Sequence, residues 1–224
     1  MRRAARPRKR RLSPAETARV AELFARFEQA SPDPRTELDY KTPFTLLVAV
    51  VLSAQATDKS VNKATERLYQ VADTPQKMAA LGEAGVIPFI SSIGLFRMKA
   101  KNVVALSRIL VDQYGGEVPL ARAALQALPG VGRKTASVVL NELGVEPAIA
   151  VDTHVFRVAH RLGLSKGKTP DEVERDLMAV TPAAAQSRAH HWLILHGRYV
   201  CVARKPKCGE CLVRDLCPSR ELFP

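Results

Sequence analysis

Leu128-Pro129-Gly130-Val131-Gly132-Arg133-Lys134-Thr135-Ala136 is the stretch on which the fold turns. Its Gly-x-Gly follows a proline and lies between two apolar helical patterns, with no strand before it. A dinucleotide fingerprint needs strand, glycine-rich turn and helix in that order, so that reading fails. The order here predicts a hairpin between two helices, one over 120–127 and one over 134–143. Glycines in such a turn admit φ > 0 and the close approach of a ligand. The second helix opens with free N–H groups suited to a phosphate. Eighteen positions beyond Lys134 comes Asp152, in Ala150-Val151-Asp152-Thr153-His154. An amine at a helix start, with a carboxylate a short way on, supplies a nucleophile and its acid–base partner.

Helical spacing recurs on both sides of this hairpin. Ser13-Pro14 pairs an N-cap with a first-turn proline, and Val20, Leu23, Phe24 and Phe27 follow as one apolar stripe. Pro32 and Pro34 mark 31–41 as a linker. Thr42-Pro43 caps a helix whose run over 44–52 is apolar almost all round, which places it in the middle of the fold. Residues 58–69 are amphipathic, two short helical pieces follow over 74–84 and 86–92, and Gly94 breaks the pattern. A long helix over 97–114 is closed by Gly115-Gly116, and Gly144 ends the second hairpin helix. Further helices run over 152–162 and 170–180, and Thr181-Pro182 caps a last one to about Tyr199. No segment reads as a strand. The class is all-α, with roughly ten helices on this periodicity.

The 224 residues, 46% hydrophobic, suit one large domain or two small ones with a sizeable core. No apolar run reaches a membrane span, so a soluble chain is expected. Aromatics at 5% argue against a β-sandwich. The net charge of +12 points to a polyanionic partner. Residues 1–11 hold seven Arg and Lys and no acid, which leaves +5 for the rest of the chain. That tail reads as a solvated, disordered arm. It lacks the apolar segment of a secretory signal, while an Arg-rich organelle presequence stays open. The basic body keeps nucleic acid in play.

All four cysteines lie in the last 24 residues, as Cys201-x6-Cys208-x2-Cys211-x5-Cys217. Four thiols so closely bunched favour a metal over disulfides. Four thiolates suit both zinc and a four-iron–four-sulfur cluster. A zinc layout usually pairs two Cys-x2-Cys knuckles, and only one is present. Between the first two cysteines, Arg204, Lys205 and Lys207 flank Pro206 in a loop pinned at both ends. A pinned loop loses little entropy on meeting a phosphate, so these three cations are candidate DNA contacts.

Leu52-Ser53-Ala54-Gln55-Ala56-Thr57-Asp58, the hairpin at 128–136, Val151-Asp152-Thr153-His154-Val155-Phe156-Arg157-Val158 and His196-Gly197-Arg198-Tyr199-Val200-Cys201 occur in this order. They resemble the helix-hairpin-helix DNA glycosylase superfamily and, within it, the endonuclease III family. The resemblance spans roughly residues 40 to 217, and the uneven cysteine spacing fits it in every gap. It implies two helical lobes flanking a cleft: a six-helix domain over 36–146, and a discontinuous one made of 12–35 plus 147–224. It also implies a structural [4Fe–4S] cluster on Cys201, Cys208, Cys211 and Cys217.

The activity implied is that of a bifunctional DNA glycosylase and abasic-site lyase that removes oxidised pyrimidines from double-stranded DNA. Lys134 would attack the sugar at C1′, expel the base and form a Schiff base, after which β-elimination nicks the strand. Partial burial and the helix N-terminus would lower its pKa. Asp152 would stabilise the oxocarbenium-like sugar and shuttle protons, besides capping its own helix; His154 reads as its structural neighbour. Gly130, Val131, Gly132 and Arg133 would grip the backbone. A flipped base leaves a gap, for which Gln55 resembles the family's filling glutamine and Leu95 its apolar wedge. Phe96 and Arg97 depart from the tyrosine and asparagine often found there, which puts the opposite-strand contacts in doubt.

Two rivals remain. An adenine glycosylase of the same superfamily typically lacks the hairpin lysine and carries a further C-terminal domain, whereas this chain stops seven residues after Cys217. A non-catalytic module that only binds the DNA backbone does not need Lys134 with Asp152. The expected setting is a monomer in a bacterial cytoplasm, at the nucleoid and away from any membrane.

Overall fold

Four helices begin with a hydroxyl residue followed by proline. In α1 (Pro14–Ala30), α2 (Pro43–Leu52), α4 (Pro75–Ile90) and α9 (Pro170–Val180), the side chain of Ser13, Thr42, Thr74 or Thr169 accepts the backbone N–H three residues on. Each cap satisfies a donor that the first turn leaves unpaired, and proline costs nothing there because its missing N–H has no partner to lose. The structure, a computed structural model, describes residues 12–223, so the expectation for the basic tail falls outside it. Among the described residues there are ten α-helices, three short 3₁₀ turns and no strand, which bears out the all-α reading. No helix among them is long and apolar enough to cross a membrane.

The chain divides into two units, each with its own core. One is Thr36–Glu146. It holds α2, α3 (Asp58–Val71), α4, α5 (Phe96–Tyr114), α6 (Arg122–Gln126) and α7 (Arg133–Glu142). Every residue of α2 from Phe44 to Leu52 is buried, and α3, α5 and α7 pack around it. Tyr69 of α3 donates its hydroxyl to the Thr45 carbonyl of α2 at 2.7 Å. Within α4 the two expected pieces are present, but the break falls at Gly82 (φ 67°, ψ 172°), a conformation that glycine alone takes freely.

The other unit runs up to Arg35 and resumes at Pro147, with α1, α8 (Thr153–Arg161), α9 and α10 (Gln186–Tyr199). The α1 stripe of Val20, Leu23, Phe24 and Phe27 is buried with Trp192 and Leu193 of α10 and Val155 and Val158 of α8. Phe27 stacks on Trp192 with centroids 6.5 Å apart, and the Trp192 indole donates to the Ser31 carbonyl at 2.8 Å. At Gly197 of α10 a Cβ would lie 2.9 Å from His154 Cβ of α8, so glycine sets how closely these helices approach.

One expectation is corrected. Thr181-Pro182 does not cap the last helix. A 3₁₀ turn over Ala183–Ala185 comes first, α10 starts at Gln186 without a side-chain cap, and the Thr181 hydroxyl is buried without a hydrogen-bond partner. The Gln186 amide instead reaches back to the Met178 carbonyl at 3.0 Å and ties the start of α10 to the end of α9.

Candidate functional site

The hairpin joins α6 to α7 within the first unit. Leu128 and Val131 are buried and anchor the turn. Arg122 of α6 donates to the Ser137 hydroxyl of α7 at 2.8 Å and pairs with Glu146 at 3.0 Å, which fixes the two arms against each other. The two glycines do different things. Gly130 sits at φ +78°, and a Cβ there would lie 3.0 Å from Asn102 of α5. Gly132 is the N-cap of α7 with φ −82°, ordinary extended backbone, so of the two glycines only Gly130 uses the left-handed region. Nothing lies within 4 Å of where a Cβ on Gly132 would stand. The missing side chain there keeps open the approach to an α7 terminus that no side chain caps.

The turn makes a direct stability prediction. Gly130→Ala should lower the unfolding free energy by about 1–2 kcal/mol, the cost of a left-handed non-glycine residue, with more added if Asn102 cannot yield. Gly132→Ala, at an N-cap where alanine serves less well than glycine, should cost less than Gly130→Ala, under about 1 kcal/mol. Equal melting points for the two variants would contradict this division of roles.

Lys134 is the second residue of α7 and is exposed, as is Arg133. The expected partial burial of Lys134 is not found, because the apolar face of α7 is carried by Ala136, Val139 and Leu140. Val131 also departs from expectation. Its side chain belongs to the core, which leaves only its backbone for a ligand.

Gln55 and Leu95 lie in two turns of the same unit and are exposed, Leu95 at 61%. The Gln55 carbonyl lies 3.9 Å from where a Cβ on Gly94 would stand, so the two turns abut. Both residues are left-handed, Gln55 at φ 55° and Leu95 at φ 60°. That conformation costs roughly 1–2 kcal/mol for a residue with a Cβ. Among the described residues only Lys205, at φ 52°, joins them as a non-glycine residue at positive φ. Strain of this kind gathers at functional sites.

Next to Leu95, the Arg97 guanidinium lies over the Phe96 ring at 5.3 Å, and Met98 is 58% exposed. One residue here escapes sequence reasoning. Lys99 of α5 is buried at 4% exposure, and its amine has no hydrogen-bond partner. Burial pushes that amine below its usual range. Its only signal in the sequence is a place on the apolar stripe with Val103 and Leu106.

In the second unit Asp152 is half-buried and caps α8. Its Oδ1 accepts the backbone N–H groups of His154 and Val155, both at 2.8 Å. Arg157 of the same helix donates to the Cys201 carbonyl at 3.0 Å and the Gly197 carbonyl at 2.7 Å, and meets His154 Nδ1 at 3.3 Å. The four cysteines are half-buried free thiols that line one cavity together with Arg161 and His196. Burial, and then the charges of the neighbouring cysteines, push the Cys211 and Cys217 thiols up. Four thiolates can share this space only around a cationic centre. Four cysteines lining one cavity suit an iron–sulfur group held by four thiolates. Arg204, Lys205 and Lys207 lie on the loop between the first two cysteines, all three exposed, and the Lys207 N–H donates to the Val200 carbonyl at 3.0 Å.

Residues 48–183 match the HhH-GPD superfamily of base excision DNA repair proteins, and residues 201–217 match the iron–sulfur binding domain of endonuclease III. The chain is 55% identical over 204 residues to endonuclease III of Escherichia coli strain K12, covering 91% of this chain and 97% of that protein. The chain belongs to the endonuclease III family. To the endonuclease III of Rickettsia conorii it is 56% identical over 198 residues, 88% of this chain and 94% of that one. A solved endonuclease III, trapped as a covalent intermediate with DNA in an estranged-adenine complex, superposes with a TM-score of 0.86 at 43% identity. That match covers 95% of this chain and 99% of the other. As an endonuclease III family member the chain is a base-excision-repair DNA glycosylase and lyase with an iron–sulfur cofactor.

Proposed function

We propose that this member of the endonuclease III family excises oxidised pyrimidines from duplex DNA and cleaves the resulting abasic site through a Schiff base on Lys134. The observation that carries the reading is the hairpin itself. An uncapped helix start, left open at Gly132, presents an exposed lysine as its second residue. The uncapped N–H groups suit a phosphate, and Lys134 then meets the sugar attached to it. Only the unprotonated amine attacks C1′. Lys134 is exposed and so open to a sugar carbon brought to it by DNA. The covalent DNA intermediate of the solved relative supports the same chemistry. Asp152 keeps Oδ1 engaged by its own helix, and its carboxylate is assigned the acid–base part and the stabilising of positive charge on the sugar.

Cys201, Cys208, Cys211 and Cys217 would hold a [4Fe–4S] cluster, whose part is to cross-link the loop. Arg204, Lys205 and Lys207 would then meet DNA phosphates. Neutralising all three should lower the slope of log K against log salt by about 0.9 for each phosphate that the loop no longer neutralises. An unchanged slope with iron retained would remove the loop from the DNA interface. A monomer on nucleoid DNA in a bacterial cytoplasm is part of this proposal.

Turnover on duplexes carrying thymine glycol, 5-hydroxycytosine, an abasic site or mismatched adenine tests the substrate class. The first three should be cleaved and the last left intact. Release of adenine instead would favour the adenine glycosylase reading. The same duplexes test the two strained turns. Filling the vacated stack offsets an unstacking cost of a few kcal/mol, so Gln55→Ala and Leu95→Ala should slow base excision more than cleavage at a ready-made abasic site. Equal slowing on both would contradict a flipping role.

A further inference from the structure

Beyond the last cysteine the chain continues outside the matched iron–sulfur segment. A 3₁₀ turn over Arg220–Leu222 returns it to the cavity, which Ser219, Arg220 and Phe223 line beside the four cysteines. The turn is fastened by the Arg220 guanidinium, which donates to the Asp215 carbonyl at 3.1 Å. Its closing residue, Phe223, lies against Arg161, whose guanidinium carbon stands 4.3 Å from the ring centroid.

Arg161 is the last residue of α8 and reaches several parts of this loop at once. Its Nη1 donates to Cys201 Sγ at 3.4 Å and to the Val202 carbonyl at 2.7 Å, and its Nη2 donates to the Ala203 carbonyl at 2.9 Å. Its carbonyl lies 3.4 Å from Cys217 Sγ. The Arg161 side chain thus meets the first cysteine sulfur and both carbonyls that follow it. Among the described residues those partners are sulfur, carbonyls and an aromatic ring. A guanidinium stays charged at any working pH, so it brings a positive charge to the thiolate side of the cavity.

We infer that Arg161 is a positioning residue of the iron–sulfur group, and that residues 219–223 form its cover, with Phe223 as the closing side chain. The inference rests on the four cysteines being the ligands. Donors to ligand sulfurs orient them and stabilise the more negative, reduced level of a cluster, while the apolar shell controls solvent access. The guanidinium does the first through the N–H groups of its edge, and the ring packed against its face does the second.

The test uses the full-length, iron-loaded protein and two readouts besides activity: the anaerobic rate at which a chelator captures iron, and the one-electron reduction potential of the cluster without DNA. Phe223→Leu keeps apolar bulk but loses the aromatic face, and should release iron several-fold faster than wild type. Phe223→Tyr keeps the face and should release it at the wild-type rate. Arg161→Gln keeps a hydrogen-bond donor but loses the charge and the fork, and should shift the potential downwards. Release from Phe223→Leu at the wild-type rate, or from Phe223→Tyr as fast as from Phe223→Leu, would overturn the cover. An unchanged potential in Arg161→Gln with full iron content would overturn the positioning role. If Arg161→Gln does not fold, the Phe223 pair still decides. Wild-type protein purified without iron would sink the ligand assignment itself, an outcome separate from all of these.

Discussion

Lys134→Ala should reduce both base release and strand nicking to background while leaving duplex binding and thermal stability near wild type. The expectation of a clean loss follows from where the side chain lies. Lys134 is exposed and on the second residue of α7, away from the Ala136, Val139 and Leu140 face that packs into the core. Alanine is at least as good a helix former there, so the fold loses nothing. The binding surface keeps the open turn at Gly132 and its uncapped N–H groups. What disappears is the one group proposed to form a bond to C1′, and without a nucleophile neither the Schiff base nor β-elimination can follow. Binding and melting are measured on the same preparation as turnover. A variant that melts normally, binds duplex and still nicks an abasic site would place the nucleophile elsewhere.

Asp152→Asn separates the two roles of one carboxylate. As an N-cap, Asp152 Oδ1 accepts two backbone N–H groups at 2.8 Å. Asparagine offers an equivalent carbonyl oxygen and caps about as well, so stability should change by only about a few tenths of a kcal/mol. Asp152→Ala, which removes the acceptor, should cost about 1 kcal/mol. Charge and proton exchange are lost in both. Excision should therefore fall by about 10²–10⁴-fold in either variant, the usual weight of a positioned acid–base group. Wild-type turnover in Asp152→Asn would reduce the residue to a cap.

Much of this molecule is written in short-range chemistry. Thr42-Pro43 and Thr169-Pro170 start their helices, because a cap needs only a hydroxyl and the N–H three residues on. Thr181-Pro182 carries the same signal and fails, since Thr181 lies in the core and Ala183–Ala185 take a 3₁₀ turn first. The site is less legible than the fold for a related reason. Which side of α7 faces the core decides that Lys134 is exposed, and which side chain fills the hairpin decides that Val131 is buried. Neither is a local property. Lys99 is the sharper case: a lysine on an apolar stripe reads as a snorkelling surface residue, and only packing around α5 shows its amine enclosed. Strain is equally invisible in sequence, yet among the described residues the non-glycine positions at positive φ are Gln55, Leu95 and Lys205.

Lys99 also frames the decisive measurement. It is a buried lysine whose amine burial shifts towards the neutral, nucleophilic form, whereas Lys134 is exposed. Wild-type protein is incubated with a thymine-glycol duplex in the presence of borohydride, which reduces the Schiff base to a stable amine. The adduct is then digested and located by mass spectrometry. The account predicts a nucleotide remnant on Lys134 alone. Modification of Lys99, or of the Met1 amine, with Lys134 unmodified would contradict it.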